Sequence, residues 1–396
     1  MKILVISPNP PNNFHRIRLT HIVKALKNDH EIDIVCQSTP NDRCFKKTYK
    51  AKIFNKDLWK CYKDVAVNIF NPIPLEASFC IDNDLKIHIR KIQKDYDIII
   101  VKRLRTMVLM PEKVGTPVII DSTDAMSMYY KKALSSVPVW KKPLFLEEYI
   151  KYRNYEKKIS KNFKNWVVCS EEDKKYLNNI LMPNAKINVV PNVVDTSYYQ
   201  SSKLPDKNTI LFSGLMDKHV NGSAIYYFLE EIFPNILQNI PDVKLYIVGP
   251  KPSKSLLNKT SRNIIVTGKV KDIRKYIEKA SLVVVPTIVG SGTRNKILQA
   301  WSQSRAIVST SIGASGLEFI KDKNILIEDD PKLFAKHVNS ILTNKKISKV
   351  LGQEGRKWVK KHYSVNIMRK KYNQVINNLV NNDLKKKQKD NTSSDN

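Results

Sequence analysis

The stretch VGSGTRNKILQAWSQ, residues 289–303, places two glycines, two cations and a helix start within a few residues of one another. Gly290 and Gly292 let a ligand approach the backbone closely, and the free amides of a helix N-terminus favour an anion. Arg294 and Lys296 fall in the first turn of that helix, where the backbone dipole disfavours cations by about 0.3 to 1 kcal/mol. A bound anion would offset them, so a phosphate cradle is one reading; an ordinary strand-to-helix turn with surface cations is the other. Ile297, Leu298 and Trp301 form the inward face expected of this helix, and Gln299 lies a turn beyond the first cation.

The elements that must hold such a loop recur along the chain. Short runs rich in Val and Ile (KILVIS, EIDIVC, DIIIV, PVIID, WVVC, INVV, then TILFS, KLYIV, NIIVT, LVVVP, AIVST, ILIE) alternate with helical patterns such as Ile225, Phe228, Leu229 and Ile232. Continuous apolar runs of this length suit strands buried on both faces, and their alternation with helices predicts a parallel α/β fold. At 396 residues the chain exceeds one ordinary core, and two doubly wound domains are expected. The series breaks once, at the polar stretch TSYYQSSKLPDKN. The expected division is a first domain over 1–195, a linker over 196–208 and a second domain over 209–363. A helix over 364–381 carries Ile367, Met368, Tyr372, Val375, Ile376 and Leu379 at helical spacing and needs a surface to pack on. The basic tail 382–396 has no such pattern and is expected to be disordered.

Composition narrows the partners. Lys+Arg of 68 against Asp+Glu of 37 leaves +31, which favours nucleic acid, an anionic membrane or phosphorylated small molecules, unless nucleotide bias in the genome has set the lysine excess. Nucleic acid is disfavoured, because no recognised readout module is present and aromatics do not interleave with cations along a strand face. Five scattered cysteines without CxxC spacing fit a reducing cytosol and no metal site. MKILVISPNP has too short an apolar stretch for a signal peptide, so a cytoplasmic location is expected.

Several separated motifs then coincide. Ile17, Arg18 and His21 form Ile-Arg-x-x-His; RLR stands at 103–105 after a strand; DSTD gives Asp121 and Asp124; PNVVD occupies 191–195. SGLMDKHVNGSA gives Gly214, Asp217 and Asn221, and YIVG, VTGKVKDIRKYI, GTRNKIL and VSTSIGASGL follow in order. In these motifs nearly the whole chain resembles the glycosyltransferases of family 4, close to bacterial sugar transferases of exopolysaccharide gene clusters. The resemblance implies a GT-B architecture of two Rossmann-like domains facing a central cleft, with the C-terminal helix crossing back to the first. It implies a sugar transferase, retaining and independent of metal or other cofactor, whose donor is a nucleotide-sugar and whose acceptor is a glycan or a lipid-linked sugar. The donor would meet Gly214, Asp217, Asn221, Gly249, Gly268, Gly290, Gly292, Thr293, Gln299 and Ser315, with Arg294 and Lys296 on its diphosphate. Arg18, Arg103 and Arg105 are the acceptor-side candidates, with Asp121 or Asp124 orienting a sugar hydroxyl; a helix cap and solvated arginines are the plainer alternatives.

The chain departs from the family pattern at defined points. Gln299 and Ser315 stand where relatives usually carry glutamates, and Ser304 where they carry a helix-ending glycine. Met216 and His219 replace the Arg and Lys of other branches, and the histidine common near residue 103 is absent. His21 is expected to pack. A non-catalytic GT-B protein that binds a partner or a glycan is therefore the rival reading. The segment 129–164 mixes aromatics with lysines and is either a peripheral contact with an anionic membrane surface or a helical excursion with solvated lysines.

Overall fold

The computed structural model describes residues 1–11, 17–38, 50–55, 58–68, 71–112, 114–135, 137–200, 203–217, 219–289 and 295–392. The chain forms two compact units, one of Met1–Pro191 with Met368–Asn396, the other of Asn192–Ile367.

Unit 1 runs β1 (Lys2–Ser7), α1 (Ile17–Leu26), β2 (Glu31–Ser38), β3 (Lys50–Asn55), α2 (Leu58–Val67), α3 (Leu75–Ser78), α4 (Asn83–Ile92), β4 (Ile98–Lys102), β5 (Val118–Thr123), α5 (Met126–Ala133), α6 (Lys142–Asn162), β6 (Asn165–Val168), α7 (Glu171–Asn178) and β7 (Lys186–Val189). Its seven strands are parallel in the order β3-β2-β1-β4-β5-β6-β7. The apolar runs explain this arrangement: Ile3, Leu4, Val5 and Ile6 of β1 and Ile98 to Val101 of β4 are wholly buried, as strands covered by helices on both faces must be. Helices α4 and α7 start at side-chain caps, with Asp82 accepting from the Leu85 amide and Ser170 from that of Asp173.

Unit 2 runs β8 (Thr209–Ser213), α8 (His219–Tyr227), α9 (Phe233–Asn239), β9 (Lys244–Val248), α10 (Lys254–Leu257), β10 (Ile264–Gly268), α11 (Arg274–Lys279), β11 (Leu282–Val285), α12 (Asn295–Ser302), β12 (Ala306–Ser309), α13 (Ser311–Ala314), β13 (Leu326–Ile327), α14 (Pro331–Thr343) and α15 (Lys345–His362). Its parallel strands follow the order β10-β9-β8-β11-β12-β13. Ile297, Leu298 and Trp301 are fully buried, as the spacing of α12 predicts. Ile225, Phe228, Leu229 and Ile232 are buried too, but a π-helical turn over Phe228–Ile232 interrupts the expected helix. Pro234 follows that turn; it lacks an amide hydrogen and crowds the carbonyl four residues back, which a widened turn relieves.

Two boundaries differ from expectation. The division between units falls at Pro191/Asn192, ahead of the stretch read as a linker, and that stretch is tied onto unit 2. Arg274 lies 3.9 Å from the Tyr198 ring centroid, Arg305 Nη2 donates to the Lys203 carbonyl at 2.9 Å, and the Asp206 amide donates to Lys279 at 2.8 Å. Polar sequence without periodicity conceals this, because its backbone carbonyls are gathered by side chains from other elements. The last helix, α16 (Val365–Thr392), joins unit 1 from Met368 and continues through much of the tail expected to be disordered. Lys, Gln and Leu are good helix formers, so helix propagates past the last apolar position.

Candidate functional site

In unit 1 the strand order reverses between β1 and β4, and ligands of such sheets bind outside the carboxyl ends of the strands at that switch. There β4 ends at Lys102, followed by Arg103, and the neighbouring β5 ends in Asp121–Thr123, followed by Asp124. Asp121 is 0% exposed. It accepts from Arg18 Nε at 3.0 Å, from Lys102 Nζ at 3.1 Å and from the Tyr372 hydroxyl of α16, while Arg18 Nη1 donates to the Pro191 carbonyl at 3.1 Å. Burial alone would push the carboxyl up, yet Arg18 and Lys102 hold it well below the usual carboxylate range. Burial pushes the Lys102 amine down to about 8 despite Asp121.

The acceptor-side candidates fall in different surroundings. Arg18 and Asp121, expected at the acceptor, are buried and engaged with each other, because a carboxylate without solvent must be paired to remain ionised. Arg105 pairs with Glu76 at 3.0 Å. Arg103 is exposed and Asp124 half-buried. Arg103 and Thr123 both have left-handed backbones, with φ of 68° and 74°; for non-glycine residues such strain costs on the order of 1 to 3 kcal/mol each and clusters at functional sites.

In unit 2 the switch lies between β8 and β11. Gly214, directly after β8, has no room for a side chain: a Cβ would lie 2.7 Å from Asn221 Cγ. A Cβ at Gly249 would come within 1.7 Å of the Gly214 carbonyl oxygen, and the Gly249 amide donates to the Gly268 carbonyl at 3.1 Å. Gly249 therefore lets two backbones approach closely, and Gly214 leaves room for the Asn221 side chain. Asn221 donates to the Leu215 carbonyl at 3.0 Å and accepts from Lys296 Nζ at 3.0 Å, and Lys296 lies 4.8 Å from the Phe212 ring centroid. Gly214, Asn221, Gly249 and Lys296 are thus linked around the end of β8, where Lys296 is held in the first turn of α12, while Gly268 closes β10 on the far side of β9.

Other donor-side candidates lie elsewhere or have other partners. Asp217 pairs with Lys251 at 3.0 Å on the surface. Gln299 Nε2 donates to the Tyr199 hydroxyl at 2.9 Å, which ties Tyr199 to α12. Ser315 follows α13, its hydroxyl donating to the Ile312 carbonyl at 2.9 Å. Gly290, Gly292, Thr293 and Arg294 lie outside the described residues. Lys102, Thr123, Phe212 and Tyr199 escape sequence reading; Lys102 had a visible signal, a lysine closing the apolar run IIIV.

Two Rossmann-like units, each carrying candidate residues at its switch point, define the GT-B class. Within that class, residues 207–344 match the family of glycosyl transferases group 1. The chain is 21% identical over 359 residues to an uncharacterized 44.6 kDa protein in the cps region of Klebsiella pneumoniae, which covers 85% of this chain and 90% of that one. Sucrose-phosphate synthase from Thermosynechococcus elongatus superposes with a TM-score of 0.70 at 15% identity, over 96% of this chain and 99% of the other. A mutant of S. aureus TarM in complex with fondaparinux, alpha-GlcNAc-glycerol and UDP gives 0.69 at 12% identity, over 95% and 100%. The GT-B fold and the resemblance to group 1 glycosyltransferases stand on these matches together.

Proposed function

We propose that the protein transfers a sugar from a nucleotide-sugar to a glycan or lipid-linked acceptor, with retention of configuration and without a metal. The observation that carries this is the Lys296–Asn221–Gly214 cluster at the end of β8, within the family-matched segment. When the bond between the anomeric carbon and the phosphate oxygen breaks, negative charge grows on the departing diphosphate. Lys296 and the first amides of α12 are fixed in advance to stabilise it, and Arg294 would add a second cation. The departing phosphate can then take the acceptor proton, so a pair of carboxylates is not required. UDP in the TarM complex supports a nucleotide-linked donor. Arg103 and Asp124 are the acceptor-side groups in this reading.

UDP, GDP and ADP serve as probes. A nucleoside diphosphate at about a hundred times its Kd should add roughly 2.7 kcal/mol to stability and raise Tm, and Lys296→Ala should abolish most of that shift. A wild-type Tm unmoved by all three, together with no sugar transfer from any nucleotide-sugar, overturns the proposal. The bond from Gln299 to Tyr199 favours a second reading, a non-catalytic GT-B protein that binds a glycan; it predicts glycan binding without turnover.

Peripheral attachment to an anionic membrane is part of the same proposal. Before and along α6, Val139 and Trp140 are 77% and 76% exposed, with Leu144, Leu146 and Ile150 also exposed and the Lys141 ammonium 4.7 Å from the Trp140 ring centroid. Exposed aromatic and aliphatic groups beside lysines suit the lipid interface.

A further inference from the structure

We infer that Lys102 and Thr123 are positioning residues that hold Arg103 and Asp124 in place for the acceptor, an inference that rests on the transferase reading above. Two adjacent strand ends, at β4 and β5, carry non-glycine residues with left-handed backbones, and one of them, Thr123, is branched at Cβ and poorly suited to it. Such conformations persist only where their surroundings over-determine them. One side chain meets both ends. Lys102 directly precedes Arg103, and its Nζ reaches across to β5, donating to Asp121 Oδ1 at 3.1 Å and to Thr123 Oγ1. Thr123 Oγ1 in turn donates to Asp121 Oδ1 at 3.2 Å.

Backbone ties complete the arrangement. The Arg103 amide donates to the Asp121 carbonyl at 2.7 Å, and the Cys169 amide to that of Thr123 at 2.8 Å, where β5 slips register against β6. Thr106 Oγ1 holds the Lys102 carbonyl at 2.8 Å. The left-handed turn at Thr123 sets the direction in which the chain leaves β5, and so the placement of Asp124. The turn at Arg103 does the same for its own exposed guanidinium at the end of β4. Lys102 is buried and acts through these neighbours. Were Lys102 present only to neutralise Asp121, its loss would lower stability without an effect specific to the acceptor.

Position 123 separates the two roles. Thr123→Val keeps the branched Cβ and removes the hydroxyl that Lys102 grips, whereas Thr123→Gly also removes the steric objection to φ of 74°. Transfer kinetics would be measured with a panel of octyl glycosides as acceptor probe, and UDP affinity by thermal shift. Thr123→Val should raise the acceptor KM about tenfold, the scale of a small misplacement of a positioned group, with UDP affinity within about twofold of wild type. Thr123→Gly should keep a KM near wild type. Lys102→Met should resemble the valine variant and be rescued by adding Thr123→Gly; if it does not fold, the valine and glycine pair decides alone. An unchanged acceptor KM in Thr123→Val, or a glycine variant as impaired as the valine one, overturns the inference. A wild-type protein that neither binds a nucleoside diphosphate nor transfers sugar overturns the transferase reading itself, and this inference with it; that result is distinct from a working enzyme indifferent to position 123.

Discussion

Glu156 illustrates how a single buried carboxyl sets a response to pH. It accepts from the Ser127 amide at 3.2 Å and from the Ser127 hydroxyl, capping α5 from the neighbouring helix α6. Burial pushes it up to about 7, and Glu148, which accepts from the Leu75 amide, is pushed up by burial to about 7 as well. For an acid raised on folding, the stabilising contribution is complete below the unfolded value near 4.5 and is lost as pH rises through the folded one. Asp29 and Asp121 are lowered on folding and lose their contributions only in acid, whereas Asp173, which burial pushes up to about 6, shares this window with the two glutamates. Melting measured from about pH 5 to about 8 should therefore show unit 1 losing on the order of 2 to 3 kcal/mol through Glu156, with smaller losses through the better solvated Glu148 and through Asp173. Glu156→Gln should remove its share of the slope; an unchanged slope would refute the assignment. Little of this chemistry is legible in sequence. The motifs mark Arg18 and Asp121, but nothing in Ile-Arg-x-x-His or Asp-x-x-Asp says that residues 103 positions apart bind each other.

At the scale of elements, α16 has the clearest energetic role. Met368, Tyr372, Val375, Ile376 and Leu379 are buried, and Arg369 and Asn373 both donate to Asp29, at 2.6 and 2.7 Å. Burial is worth about 1.5 to 3 kcal/mol per large apolar side chain, so these five together approach the net stability of a whole domain. A chain ending at Ile367 should lose the cooperative unfolding of unit 1 while unit 2 still melts; calorimetry showing unit 1 unfolding as cooperatively as before would contradict this. Sequence conveyed the helix because its apolar spacing is strict, and it conveyed the strands because their runs are continuous. It did not convey the π-helical turn, which satisfies the same apolar positions as a regular helix, or the attachment of Tyr198, Tyr199 and Lys203, which depends on Arg274, Gln299 and Arg305 from other elements.

For the molecule as a whole, the charge of +31 and the exposed apolar group near Trp140 predict reversible attachment to acidic lipid. Among the described residues no helix is long and apolar enough to cross a membrane. Vesicles containing phosphatidylserine should retain the protein at low salt and release it as salt rises, each cation near the surface being worth about 1 kcal/mol. Trp140→Ala with Val139→Ala should weaken retention. Equal recovery with neutral vesicles, or none with acidic ones, would count against the membrane reading. The order in which the two units are threaded has a consequence of its own during synthesis. Unit 2 is one uninterrupted segment, Asn192–Ile367, whereas unit 1 needs residues from Met368 onward to complete it. On the ribosome the later segment thus has all its parts first, and the earlier one must wait, incomplete, until Tyr372 emerges to meet Asp121.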